Sequence, residues 1–189
     1  MKYDKSDRKY LTFSIDNKTY AVPALSLSGV FANPDVAILA MAPKFVAGIF
    51  FNETFNIPII DLRLLLKRPN PNNLEKTCAI IVSVNFKGQD KLVGFIVDSA
   101  SYVSTFLACQ IEKLPSIGEN EFISGVANTE EQMVFFLDLD KIINEDNLIY
   151  FLNEFWILES ESKIALANEP ESQSGSHYGG GGVDSDLKI

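Results

Sequence analysis

Apolar and polar residues largely alternate from Tyr10 to Val22, in "YLTFSIDNKTYAV". Between the strands stand Asp16 and Asn17, residue types suited to the tight turn of a β-hairpin. The stretch Ala79 to Val97, "AIIVSVNFKGQDKLVGFIV", does the same around "KGQD". Each predicts two antiparallel strands and a short turn. A second pattern also occurs twice. "AGIFFNETFNIPIIDLRLLL" (Ala47 to Leu66) and "SGVANTEEQMVFFLDLDKII" (Ser124 to Ile143) both open with a small residue, Gly and a β-branched residue. Both pass a polar bend and close on an apolar strand ending in Asp-Leu. Gly48 falls on Gly125, Asp61 on Asp138 and Leu62 on Leu139, always 77 positions apart.

Earlier in the units, Ala21 falls on Gly94 and Val30 on Val103, at an offset of 73. The second copy therefore holds four extra residues, assigned to the loop around "EKLPSIGENE". Each unit reads as hairpin, third strand, loop, short strand, polar bend and closing strand. Five short strands with tight turns favour a small barrel, so two copies predict two barrels packed together in a mainly β fold. The repeats span about 10–66 and about 78–143, joined by the polar connector Lys67 to Lys76, "KRPNPNNLEK".

After the second unit the period changes. Leu148, Phe151, Leu152, Phe155 and Leu158 recur at steps of three and four, which predicts an amphipathic helix over about 145–160. Asn144 or Asp146 is placed to cap it, Trp156 lies beside the stripe, and packing on the barrels is favoured over partner docking. Residues 161–189 are low in complexity, with a Gly179 to Gly182 run, and predict a disordered tail.

Composition narrows the function. Hydrophobic residues make up 47 % of the 189, with 14 Phe, enough for a real core. The net charge is −9 and no Lys/Arg cluster occurs, which argues against nucleic acid and anionic membrane as partners. The N-terminus is charged and lacks a signal-peptide core, and Pro43 and Lys44 interrupt the longest apolar stretch, so a cytoplasmic chain without membrane insertion is expected. Cys78 and Cys109 are read as two buried thiols. The single histidine, His177, lies in the tail, which leaves no ligand set for zinc.

Catalytic motifs are missing. No nucleotide-binding glycine motif and no nucleophile elbow is present, and "FISGV" has no histidine to serve Ser124. Carboxylates alone leave acid-base hydrolysis formally open. Asp61 and Asp138 are nonetheless read as structural caps, because an Asp before an apolar turn accepts from free backbone N–H groups. No cofactor is expected; the chain reads as built to bind.

Taken in order, "YLTFSIDNKTYAV", "APKFVAGIFFNETFNIPIIDLR", "KLVGFIVDSASYV", "SIGENEFISGV" and "VFFLDLDKII" resemble the CheW chemotaxis coupling proteins, from about Lys9 to Ile143. The resemblance implies two five-stranded SH3-like barrels, no catalysis, and an adaptor role. Such an adaptor bridges the cytoplasmic tip of a methyl-accepting chemoreceptor to the regulatory domain of a CheA-type histidine kinase, at a membrane-associated array. It places receptor and kinase binding on Leu27, Val30, Phe31, Gly48, Ile49, Asn52, Glu53 and Thr54, with Gly48 admitting a partner helix. Two departures stand out. The family's Gly-Val-x-Asn-Leu-Arg-Gly is "GIFFNET" here, which puts Glu53 at the Arg position and Thr54 at the second Gly. The third strand carries Gly29, Val30 and Phe31 where a Glu usually precedes the Ile and an Arg often follows it. These changes point to a specialised pathway, such as one controlling pili or surface motility. The alternative is an array filler or competitor that binds without activating the kinase.

Overall fold

The computed structural model describes residues 7–51, 55–68, 77–114 and 121–167. The first hairpin joins β1 (Asp7–Ile15) to β2 (Lys18–Pro23). Its turn residues Asp16 and Asn17 have φ of 50° and 57°, as a two-residue turn matching the strand twist requires. The second joins β7 (Cys78–Phe86) to β8 (Gln89–Val97) through Lys87 and Gly88, at φ 52° and 80°. In both, the alternate apolar residues Leu11, Phe13, Ile15 and Val82, Val84, Phe86 are buried.

The first half continues with β3 (Leu27–Ala32), β4 (Val36–Ala37), β5 (Val46–Phe51), β6 (Asn56–Asp61) and the single-turn helix α1 (Leu62–Leu65). The second half continues with β9 (Ser99–Leu107), β10 (Glu112–Lys113), β11 (Ile123–Asn128), β12 (Met133–Leu137) and α2 (Leu139–Ile143). Helix α3 (Asp146–Ala167) follows. The protein is mainly β, with two curled six-stranded sheets, each of five full strands and a two-residue sixth.

The repeats do not each close on themselves. One sheet runs β10-β11-β12-β2-β1-β9 and the other β3-β7-β8-β6-β5-β4. Each repeat lends its hairpin to the sheet of the other. The lent hairpin joins through a parallel pair: Ile59 of β6 lies opposite Gly94 of β8, and Phe136 of β12 opposite Ala21 of β2. These are the same junction twice, related by the offsets of 77 and 73 in the sequence. Period-two alternation fixes which face a residue takes but not which strand it pairs with, so the sequence pattern is compatible with either pairing.

Three apolar clusters result. Ala21, Phe106, Ala127, Val134 and Phe136 fill one curled sheet; Ile57, Ile59, Ala79 and Ile81 fill the other. The largest cluster includes Phe13, Tyr20, Ile60, Ile80, Phe95, Ile142, Leu148, Leu152 and Trp156, so strands from both halves and α3 share it. The helix thus packs on the barrels. Its buried line is Leu148, Leu152 and Trp156, while Leu158 is 62 % exposed. Trp156 replaces Leu158 in the buried stripe because every-fourth spacing tracks the core more closely than the expected stripe. The start differs too: Glu145 Oε2 accepts from the Leu148 N–H at 2.8 Å, whereas Asn144 ends α2. The helix runs past the expected end near 160; residues 168–189 lie outside the described residues.

Both Asp-Leu motifs begin helices. Asp138 Oδ1 accepts from the Lys141 N–H at 3.2 Å, with Lys141 Nζ 3.5 Å from Oδ2. Asp61 does more. Its Oδ1 accepts from the Arg63 backbone N–H at 3.0 Å and from Nε at 2.9 Å, and its Oδ2 accepts from Nη2 at 2.7 Å. Arg63 is 1 % exposed. This hydrogen bonding raises the guanidinium pKa against the opposing cost of burial. Arg63 Nη1 also faces Asp98 Oδ1 at 3.6 Å, and Asp98 Oδ2 accepts from the Asp16 N–H at 2.8 Å. A two-fork ion pair therefore sits where the first hairpin's turn, the second half's β8–β9 bend and α1 meet.

The cysteines differ from the expectation of two buried thiols. Cys78 is buried in β7, and burial pushes its thiol pKa up; Cys109 is exposed. Cys109 lies in the helical turn Ala108–Gln110, where the chain has left the sheet.

Two outcomes follow. In urea unfolding, Asp61→Ala costs about 3–5 kcal/mol, because it strands the buried Arg63, whereas Asp138→Ala costs about 1 kcal/mol as the loss of a cap. Equal losses would remove the ion pair from this account. In native protein at neutral pH a disulfide-exchange reagent titrates Cys109 alone, and Cys78 reacts only after denaturation. Mass mapping of the labelled peptide checks this.

Candidate functional site

The residues singled out by resemblance fall on β3 and β5. These strands are far apart in the ladder of their sheet, yet its curl brings them together: the Phe31 and Phe50 ring centroids are 5.0 Å apart. The candidate residues therefore lie at a seam where the sheet edges approach. Asn52, Glu53 and Thr54 lie outside the described residues.

The remaining residues play unequal parts. Leu27 is half-buried and packs on the central core cluster. Ile49 is half-buried, between Pro58 on β6 and Ala37 on β4. Gly48 is buried at φ +146°, beside the register shift between Val46 and Gly48. A Cβ there would run into the Ala37 carbonyl and approach Val36 Cγ1 at 2.9 Å. The close approach expected of a partner helix is made instead by strand β4 of the same chain. Gly125 does likewise in the other sheet, where a Cβ would meet the Glu112 carbonyl oxygen at 2.7 Å.

Val30 and Phe31 remain outward, 44 % and 36 % exposed. The bend is flanked by Phe51 and Phe55, at 59 % and 45 %. Four exposed large apolar side chains thus belong to one half-barrel, on β3, at the end of β5 and in the β5–β6 connection. Isolated exposed apolar residues are ordinary; Phe31 beside Phe50, on strands that the curl of the sheet brings together, offers a surface suited to protein contact. The repeat supplies a counterpart around Tyr102, Val103 and Met133, but its cleft of about 270 Å³ is lined by polar groups including Thr129, Glu131 and Gln132. The two ends present different chemistry despite equivalent backbones.

Neither end resembles a catalytic centre. Both Asp61 oxygens are engaged by Arg63, and Asp138 is tied to Lys141. Among the described residues, no three His, Cys, Asp or Glu side chains converge as a metal site. Sequence reasoning missed Arg63 and Asp98 as structural partners; the Arg in "IIDLR" two residues after Asp61 was the available signal.

Comparison with known proteins agrees with this picture. The profile of the CheW-like domain matches residues 9–147. The chemotaxis protein CheW of Klebsiella aerogenes is 26 % identical over 144 residues, covering 75 % of this chain and 84 % of that protein. CheW of Bacillus subtilis is 22 % identical over 146 residues, with coverage of 76 % and 91 %. The crystal structure of the scaffolding protein TtCheW from Thermoanaerobacter tengcongensis superposes with a TM-score of 0.63 at 24 % identity, covering 70 % of this chain and 90 % of that one. With its fold and three quarters of its length accounted for in this way, the chain belongs to the CheW-like domain family.

Proposed function

We propose that this protein couples chemoreceptor cytoplasmic tips to the regulatory domain of a CheA-type histidine kinase. Family membership makes the chain a non-enzymatic chemotaxis scaffold. The particular partners are our reading. The observation that carries it is the exposure of Val30 and Phe31 on β3 and of Phe51 on β5, the strands where the family resemblance puts partner binding, with Phe31 set against Phe50. A rigid scaffold around a shared central core, with apolar and aromatic side chains at its edge, suits a helical receptor tip, whose i, i+3 and i+4 anchors can cover such side chains. Binding on a stiff body transmits a change of receptor packing to the kinase as a differential contact energy. No helix among the described residues is long and apolar enough to cross a membrane. We place the protein in the cytoplasm and attribute its position at the array to its partners.

Glu53 favours keeping a second reading. An acid in place of an arginine reverses the charge offered by the bend, which disfavours an acidic partner and favours a basic one. That change fits a specialised pathway, with pili or surface motility as examples, or a filler that occupies the array without activating it.

Calorimetry with receptor-tip and kinase regulatory-domain fragments, together with kinase activity in reconstituted complexes, separates these readings. An adaptor binds with micromolar affinity and raises kinase activity as it is titrated; a filler binds without raising it. Val30→Glu weakens binding at least about tenfold, or about 1.4 kcal/mol, with an unchanged melting temperature. If Val30→Glu leaves every affinity intact, the seam is not the docking surface. If only Glu53→Arg binds the kinase, the bend has been turned to another partner.

A further inference from the structure

The second hairpin outreaches the first. β7 and β8 pair nine times, from Cys78 opposite Val97 to Phe86 opposite Gln89, whereas β1 and β2 pair six times. The extra length carries its tip to α3, where the Phe86 and Trp156 ring centroids are 4.6 Å apart. Register places Lys91 opposite Val84, on the face whose neighbours Val84, Phe86 and Val93 belong to the central core. An apolar residue would serve packing better at that position. Instead an ammonium stands 6.0 Å from the Trp156 ring centroid. In the turn, Lys87 Nζ lies 5.4 Å from the Phe86 ring centroid and donates to Asn153 Oδ1 at 2.6 Å. No carboxylate among the described residues lies within 4.0 Å of either ammonium. Between hairpin and helix opens a cleft of about 310 Å³, lined by these two lysines, Phe86, Gln89, Trp156 and Ile157.

We propose that this cleft docks an acidic peptide segment of a partner protein, which sets its carboxylates on Lys87 and Lys91 and an apolar side chain against Trp156, Phe86 and Ile157. Two cations that no described carboxylate pairs within 4.0 Å favour negative charge in this cleft of a chain of net charge −9, while Asp90 and Glu159 line the adjoining cleft beside Lys91. The aromatic walls and Ile157, 51 % exposed, reward an adjoining apolar group, which an inorganic anion cannot supply. The α3 part of this surface, Trp156 and Ile157, lies beyond the family match at 9–147, while an adjoining cleft joins Lys91 and Trp156 to Phe55; docking here rests on Lys87, Lys91 and Trp156 and not on β3.

Trp156 is the only tryptophan, so its fluorescence reports the cleft directly. The probe is acetyl-Glu-Leu-Glu-Phe-Glu-amide, titrated into the full chain. A saturable emission change is expected, weakening as NaCl rises from about 50 to about 500 mM. Lys87→Gln combined with Lys91→Leu is expected to weaken binding at least about tenfold without lowering the melting temperature, since Leu suits the core-facing position. The proposal is overturned if no saturable change occurs, if the variant binds equally, or if acetyl-Lys-Leu-Lys-Phe-Lys-amide or inorganic phosphate produces the same response. A changed emission in Glu169→Gln/Glu171→Gln without added peptide would assign the cleft to the chain's own C-terminal segment and overturn the partner.

Discussion

Each sheet of this protein is completed by a hairpin that belongs to the other half of the chain. That exchange is the constraint on which the remaining structure depends. Without β7 and β8, the first half has β3 and β6 with no strand between them; without β1 and β2, the second half has the same gap between β9 and β12. Unpaired backbone groups at such gaps are costly, so the halves gain most of their pairing together. The pairings are also long in sequence: β1 meets β9, with Leu11 opposite Val103. Loop closure over such distances precedes any reward from contact, so a slow, concerted folding step is the physical expectation.

The buried ion pair makes sense in this setting. Taking Arg63 out of water is expensive, and an apolar residue could fill its place at lower cost. What it offers is direction. Its fork grips Asp61 at the end of β6, and its remaining nitrogen faces Asp98, whose other oxygen holds the turn of the first hairpin. Three segments that must converge for the exchange to be right are thereby checked at one point. The second half has a different arrangement: the residue 77 positions on from Arg63 is Asp140, and Asp138 holds the surface Lys141 and its backbone N–H. One clasp at one junction is enough when both junctions form in the same event.

Much of this was legible in the residues, for reasons that differ by element. The hairpins were legible because Asp16-Asn17 and Lys87-Gly88 are turn chemistry set between alternating strands. The matched junctions were foreshadowed by the offsets of 73 and 77. The exchange itself was not, because alternation records faces and is silent about neighbours. Gly48 illustrates a further limit. A glycine announces that something comes close, not what; here β4 takes the space. Cys109 and Leu158 have apolar neighbours yet face water, Cys109 in the helical turn after β9 and Leu158 off the buried line of Leu148, Leu152 and Trp156. At the candidate site, the strands were readable but the pairing of Phe31 with Phe50 was not, as it arises from curvature across a six-stranded sheet.

Duplication with exchange also suits an adaptor. The two halves share strand registers, so they repeat a backbone, but nothing in the pairing fixes the side chains on the outer faces. Around β3 and the β5–β6 connection those are aromatic and aliphatic; around β9 and the β11–β12 connection, exposed Tyr102, Val103 and Met133 stand by a cleft lined with Thr129, Glu130, Glu131 and Gln132. The core clusters and the Arg63 clasp keep the two ends in one rigid relation while each end is free to change its chemistry. Catalysis would demand convergent groups held around a single point. Here the buried polar groups converge only on holding the halves together, which leaves the surfaces, and the differences between them, to carry function.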